Sequence, residues 1–253
     1  MSHLTNIPFE EESTEIKKRV TDYWTTRAEG FYEMRHDEIE SNKAELWLQE
    51  IHRAVGERKH MNVLDVGCGA GFFEVLLGRE GHRVTGIDLT EAMVTKANQM
   101  IASYGCDPAQ VQAMVMDAEQ PEFQENTFDL VITRNLTWTL PHPVEAYAQW
   151  LRVLKPGGIL LNFDAEYAKN AHRFNPEDNI AHKGLSQAQN DACHAIYHML
   201  TISTLDRPHW DRLVLQELGF SAVDCDVDFG DRVYAEKDEF YMPDRMFLIR
   251  AVK

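Results

Sequence analysis

The chain has 253 residues, 44% of them hydrophobic, which suits one α/β domain with attached segments and a sizeable core. Asp and Glu outnumber Lys and Arg 41 to 25, and the formal net charge of −16 would repel a phosphate backbone, which argues against nucleic acid as a partner. Cys68, Cys106, Cys193 and Cys225 lack paired spacing, the first residues lack a basic and apolar leader, and no run approaches a membrane span. A soluble, unprocessed cytoplasmic protein without disulfides is therefore expected, with no membrane partner and as a monomer or homodimer.

In chain order, Ser13 can cap a helix with Ile16, Val20, Tyr23 and Trp24 at helical spacing, and Gly30 is a plausible stop. A second helix fits Ser41 to Val55. Val63, Leu64 and Val66 make the short apolar run of a buried parallel strand, followed by a glycine turn and a helix from Phe73 that ends at Gly81. A second strand, His82 to Ile87, ends on Asp88, and Thr90 can cap the helix carrying Met93, Val94, Ala97, Met100 and Ile101. Further strands fit Val111 to Met116, Phe128 to Thr133 and Ile159 to Phe163. Pro143 suits the first turn of a helix whose buried stripe includes Tyr147, Leu151 and Leu154, and Lys155 to Gly158 then turns the chain. A polar loop from Tyr167 to Lys183 and a helix from Ser186 to about Ile202 interrupt the alternation. A helix near Pro208 to Leu218 and strands Ala222 to Phe229 and Met246 to Val252 complete it. Strands alternating with helices at these lengths predict a doubly wound, mostly parallel sheet.

The turn reads Asp65-Val66-Gly67-Cys68-Gly69-Ala70-Gly71, a Gly-x-Gly-x-Gly pattern rather than the Gly-x-Gly-x-x-Gly of dinucleotide enzymes. Glycine permits positive φ and close approach of a ligand to backbone, and the following helix offers unpaired N–H groups. Asp88 falls about twenty residues on, where a carboxylate can take both hydroxyls of a ribose. Together these features read as a nucleoside site.

The chain here resembles the class I S-adenosylmethionine-dependent methyltransferases. The resemblance rests on residues 63–71, on Gly86-Ile87-Asp88-Leu89-Thr90-Glu91-Ala92-Met93, on Met116-Asp117-Ala118-Glu119, on Thr127 to Ile132 and on Leu151 to Gly158, five segments in the family's order. It implies a seven-stranded Rossmann-like sheet with its last strand antiparallel. It also implies S-adenosyl-L-methionine as cofactor and one methyltransferase domain: an N-terminal helical lid segment (1–60), a cofactor-binding core (61–165), a helical insertion over the substrate site (166–205) and a C-terminal helix with two strands (206–253). By the same resemblance Asp88 takes the ribose, Leu89 and Met93 pack on the adenine, and Asp117 with the Ala118 N–H reads its edge. Gly67, Cys68, Gly69 and Gly71 approach the methionine part, Asp65 orients that loop or reaches the amino group through water, and Arg134 and Asn135 lie where the family has main-chain contacts to the cofactor tail. The stretch Trp24 to Tyr32 resembles the segment that many small-molecule methyltransferases fold over the cofactor, which adds Tyr23 and Phe31 and makes Tyr23 to Tyr32 a lid.

Thr133-Arg134-Asn135-Leu136 lacks the Asn-Pro-Pro-aromatic sequence of many enzymes that methylate bases or glutamine amides, so a small-molecule acceptor is expected. An insertion after a strand's C-terminal end sits over the crevice of an open α/β sheet, where it can cover substrate. Methyl transfer is an in-line displacement, and alignment can supply about 7–11 kcal/mol, so no catalytic residue is compulsory. If a base is needed, His142, Asp164, Glu166 and Tyr32 are candidates, although His142 lies between prolines where a helix cap is usual. Trp138 is a pocket wall or a plug at the sheet's end. Asp191, His194 and His198 share one helix face with Cys193 beside it; the histidines are substrate-pocket candidates, and the face is read as solvated rather than metal-binding. The rival readings are an aminopropyl transferase, an RNA-modifying methyltransferase and a non-catalytic cofactor-binding regulator.

Overall fold

A computed structural model of the chain describes residues 9, 12–170, 180 and 184–253. Most of the polar loop expected between Tyr167 and Lys183 lies outside the described residues. Seven strands, β1 (Asn62–Val66), β2 (Arg83–Asp88), β3 (Val111–Val115), β4 (Phe128–Arg134), β5 (Leu154–Ala165), β6 (Ser221–Asp226) and β7 (Met246–Val252), form one sheet in the order β3-β2-β1-β4-β5-β7-β6. Strands β1 to β5 pair in parallel, while β7 runs antiparallel between β5 and β6.

The helices are α1 (Ser13–Glu40), α2 (Lys43–Val55), α3 (Phe72–Arg79), α4 (Glu91–Ser103), α5 (Pro143–Val153), α6 (Tyr167–Asn170), α7 (Gln187–Met199), α8 (His209–Leu218) and α9 (Phe229–Val233). The central strands are apolar along almost their whole length because helices cover both faces; Val63, Leu64, Leu130, Val131, Ile132, Leu160 and Leu161 are all fully buried. The strand order reverses between β1 and β4, and a crevice opens at their carboxyl ends.

Three elements depart from the expectation. Helix α1 does not stop at Gly30 but runs on to Glu40, and its N-cap is Glu12, not Ser13. Gly30 has open space around it; a glycine in a helix interior costs about 1 kcal/mol, which tertiary packing by Ile16, Tyr23 and Ile39 can offset. Lys155 to Gly158 does not separate helix from strand: β5 already pairs Leu154 with Phe128, then shifts register before Ile159 meets Leu130, with Gly157 at φ +74°. Strand β6 ends at Asp226, where the side chain takes the Asp228 N–H at 3.0 Å and starts a turn. The turn delivers Phe229 to Trp47 and Phe163, with centroids 5.0 and 4.8 Å away, so burial of one aromatic ring decides where the strand stops.

Candidate active site

The crevice holds a cavity of about 360 Å³ bounded by the glycine turn, the ends of β2 and β4, α1, α7 and residues 240–244. Gly67, Gly69 and Gly71 all have positive φ. The Gly67 and Cys68 N–H groups bond Ile87 O across the strand end at 2.8 and 3.0 Å, so the turn is tied to β2. Asp88 fixes it further: one oxygen accepts the Gly69 N–H at 3.1 Å and the other the Thr90 N–H at 2.8 Å. Burial pushes the Asp88 carboxyl upward and those two N–H groups pull it back. Asp88 thus both steadies the start of α4 and presents a carboxylate to the cavity.

Gly67, Gly69, Asp88, Leu89, Met93, Asp117, Ala118, Arg134, Asn135, Tyr23 and Phe31 all line this cavity. Phe31 lies against the turn, since a Cβ built on Gly69 would come within 3.0 Å of its ring. Asp117 already has both oxygens engaged, one with Lys17 Nζ at 2.6 Å and one with the Glu119 N–H at 2.9 Å, and each keeps a further lone pair. Lys17, which also pairs with Glu119, closes this end of the cavity. Asp65, Cys68 and Gly71 stand behind the lining.

Arg134 lines the cavity at the end of β4, where a main-chain contact is expected, while its side chain is engaged by α1. Its guanidinium forks onto Glu38 and lies over Trp47, with its carbon 4.3 Å from the ring centroid. Asn135 sits at φ +57°, donates its N–H to Phe163 O at 2.8 Å and accepts the Tyr167 hydroxyl at 2.7 Å. A non-glycine residue in the left-handed region costs of order 1–3 kcal/mol and persists only where neighbours hold it.

At the other end Trp138 packs against Tyr167 and Tyr197, at centroid distances of 5.7 and 4.8 Å. With Leu185, Cys193, His194, Phe240 and Met242 these rings form a largely apolar wall. Burial pushes the hydroxyls of Tyr23 and Tyr197 and the thiol of Cys193 upward, so all three keep their protons at neutral pH.

Five candidates fall elsewhere. Asp164 is wholly buried, ion-paired to Arg207 at 2.8 Å and accepting the Trp138 N–H at 3.1 Å; it holds the cavity wall from behind. His142 takes the N-cap position of α5 and gives its N–H to Glu119. Tyr32 stacks on His36 with Lys96 over its ring, and His198 borders a separate cavity of about 170 Å³ with Leu200 and Ser203. Glu166, the other base candidate, binds Lys169 and the Arg207 N–H. Among the described residues no group of three His, Cys, Asp or Glu side chains could hold a metal.

The cavity also has residues that the sequence reading did not single out. Arg35 lies beyond Gly30, where the first helix was expected to end; once α1 continues, helical spacing brings Arg35 and Glu38 onto one face. Residues 240–244 come from the segment between β6 and β7, which carries no periodic signal.

A methyltransferase domain family matches residues 64–162. A malonyl-[acyl-carrier protein] O-methyltransferase from Paenibacillus sp. (strain JDR-2) is 30% identical over 222 residues, covering 84% of this chain and 75% of that protein. The chain belongs to the class I S-adenosylmethionine-dependent methyltransferase family. It is also 30% identical over 133 residues to a demethylmenaquinone methyltransferase from Staphylococcus aureus (strain MRSA252), covering 51% of this chain and 54% of that one; it thus spans only about half the length of this second relative. A solved Haemonchus contortus phosphoethanolamine N-methyltransferase 2 in complex with S-adenosyl-L-methionine shares the fold at a TM-score of 0.57 and 19% identity, over 81% of this chain and 51% of that one.

The methyltransferase uses S-adenosyl-L-methionine, and the cavity's donor set suits it: a carboxylate for a diol, Leu89 and Met93 for a flat base, and a glycine turn open to a small zwitterion. Among the described residues no helix is long and apolar enough to cross a membrane.

Proposed function

We propose that this methyltransferase methylates a small molecule with a flat, largely apolar body, seated against Trp138, Tyr167 and Tyr197. The observation that carries the reading is this aromatic wall, which continues the cavity of the glycine turn and Asp88. The two relatives named for methylation of malonyl-[acyl-carrier protein] and demethylmenaquinone favour an acceptor outside nucleic acid, as does the charge of −16.

The cofactor's sulfonium supplies an already reactive methyl group. In this reading Asp88 holds the ribose, Asp117 and the Ala118 N–H meet the adenine edge, and Gly67 and Gly69 admit the amino-acid end. The protein's contribution is alignment and exclusion of water, for which a positioned acceptor gains about 7–11 kcal/mol over free encounter. With Tyr23, Tyr197 and Cys193 protonated, none of them can take a proton from the acceptor. His194 on α7, a substrate-pocket candidate rather than one of the expected bases, borders the aromatic wall and takes the base role in this reading, needed only for an acceptor that must lose its proton early.

The test is transfer of label from S-adenosyl-L-methionine into separated fractions of a cell extract. Label in small, extractable molecules, lost in a Trp138→Ala variant that still binds S-adenosylhomocysteine, is expected. Label in RNA would sink the small-molecule reading, and label nowhere would favour a cofactor-binding regulator.

A further inference from the structure

Behind the glycine turn two acids are buried together. Glu74, in the first turn of α3, is 0% exposed and neither carboxyl oxygen meets an ordinary donor; Asp65 on β1 is 2% exposed and its Oδ1 is in the same position. Glu74 Oε1 presses on the backbone of β2, for a Cβ built on Gly86 would stand 2.2 Å from it. The carboxyl is thereby wedged beside β2, below the turn, and since Gly86 is the register partner of Asp65 the two acids lie side by side.

Two carboxylates cannot hydrogen-bond without a proton between them, and a dry site disfavours two adjacent charges. The other charged or titratable groups facing the pair are Asp88 on β2, Cys68 in the turn and Arg134 on β4. Asp88 adds negative charge, and Arg134 is already engaged by Glu38. Burial pushes Asp65 up to about 8 and Glu74 well above its ordinary range. Glu74, whose two oxygens both lack a donor, is the carboxyl that keeps its proton when the pair ionises and donates it to Asp65.

We propose that Glu74 is a positioning residue for the cofactor: in the free protein both acids hold their protons behind the turn, and when the ammonium of the cofactor's amino-acid end arrives, Asp65 gives up its proton while Glu74 keeps its own and donates it to the new carboxylate. The displaced proton goes to solvent. The inference rests on the reading of the glycine turn as the seat of that amino-acid end.

Wild-type protein is titrated calorimetrically with S-adenosylhomocysteine, which has the ammonium but no sulfonium, at pH 7 in two buffers of different ionisation enthalpy. A net release of several tenths of a proton is expected. The ligand's own amino group, that of a free amino acid, is already protonated at pH 7 and adds almost no uptake. Glu74→Gln, which keeps a donor toward Asp65, should bind within about threefold of wild type and release as many protons, whereas Glu74→Ala, which removes the donor, should bind roughly tenfold more weakly and release fewer. Equal proton counts in wild type and Glu74→Ala, or no exchange in wild type, would overturn the proposal while leaving the cofactor site in place. No binding by folded wild type would overturn the site reading and the proposal with it. Should Glu74→Ala fail to fold, the wild-type count alone decides.

Discussion

Arg134 at the end of β4 and Glu38 near the end of α1 meet fork to fork, with Nη1–Oε2 and Nη2–Oε1 both 3.0 Å and the two side chains 7% and 0% exposed. Tyr234 gives its hydroxyl to the same carboxylate at 2.7 Å, and Arg35 binds it from within α1. One carboxylate thus joins the N-terminal helix to the strand end that borders the cofactor cavity and to the segment after β6.

Removing this anion should be costly. Burial alone would raise the Glu38 carboxyl, but Arg134 and Arg35 hold it down to about 2. Glu38→Gln leaves two buried guanidiniums facing each other and should cost about 3–5 kcal/mol in denaturant unfolding at pH 7. A carboxyl held below its unfolded pKa stabilises the fold above about pH 4.3, and that stability is lost as pH falls toward 2. The gap between variant and wild type should therefore shrink on acidification from pH 5 to pH 2.5, and a gap independent of pH would deny Glu38 its charge.

Asp88→Ala should weaken binding of S-adenosylhomocysteine by roughly 2–3 kcal/mol with the fold intact, because charged hydrogen bonds to a ribose are lost. The side chain also holds the Gly69 and Thr90 N–H groups, so Asp88→Asn, which still accepts from one of them, should fall between Ala and wild type. Calorimetric affinities within a few-fold of wild type for both variants would remove Asp88 from the ribose role.

The parts of the fold legible in the sequence are those in which local pattern and burial agree. Val63, Leu64 and Val66 read as a buried strand because the strand is covered on both faces, and Pro143 opens a helix because its missing N–H costs nothing in the first turn. The cavity residues that were legible, Gly67, Gly69, Asp88 and Met93, belong to a contiguous strand, turn and helix. Arg35 and Glu38 were hidden because Gly30 breaks the local preference and tertiary packing overrides it. Asp164 looked available at a strand's end, yet nothing local announces Arg207, 43 residues on, as its partner. Tyr234 and residues 240–244 reach the site only because β7 inserts between β5 and β6, a long-range event without periodic trace.

The acid pair behind the turn should make the free protein less stable as pH rises. Asp65 is raised to about 8 and Glu74 well above its ordinary range, both by burial, so the folded state keeps protons that the unfolded chain releases near pH 4. Stability from such groups is fully present below about pH 4 and is lost as pH rises through 8. Glu74→Gln cannot ionise. Its melting temperature relative to wild type should climb steadily from pH 5 to pH 8.5, and a flat difference across that range would mean that the pair carries no shared proton.

The final prediction concerns which cover moves. Helix α1 is pinned at one end by Glu38 and Ile39 and at the other by Ile16 and by Lys17 on Asp117 and Glu119, so its middle, Tyr23 to Tyr32, is held between two anchors. Helix α7 is held more lightly: Ile196 is its one fully buried residue, and Gln189 reaches the Thr26 carbonyl only at 3.5 Å. An element with few buried apolar contacts opens at low cost, as a cover over a reaction must. We therefore assign the closing motion to α7 rather than to the aromatic stretch of α1. Amide exchange in the free protein should be fast across residues 187–199 and slow across 23–32, and S-adenosylhomocysteine should slow only the former. Ile196→Ala should cost acceptor turnover severalfold while leaving the melting temperature nearly unchanged, since truncating one side chain here loosens the cover and not the sheet. Slow exchange in α7 without ligand, together with a large loss of melting temperature in Ile196→Ala, would make α7 part of the permanent core and return the lid to Tyr23 to Tyr32.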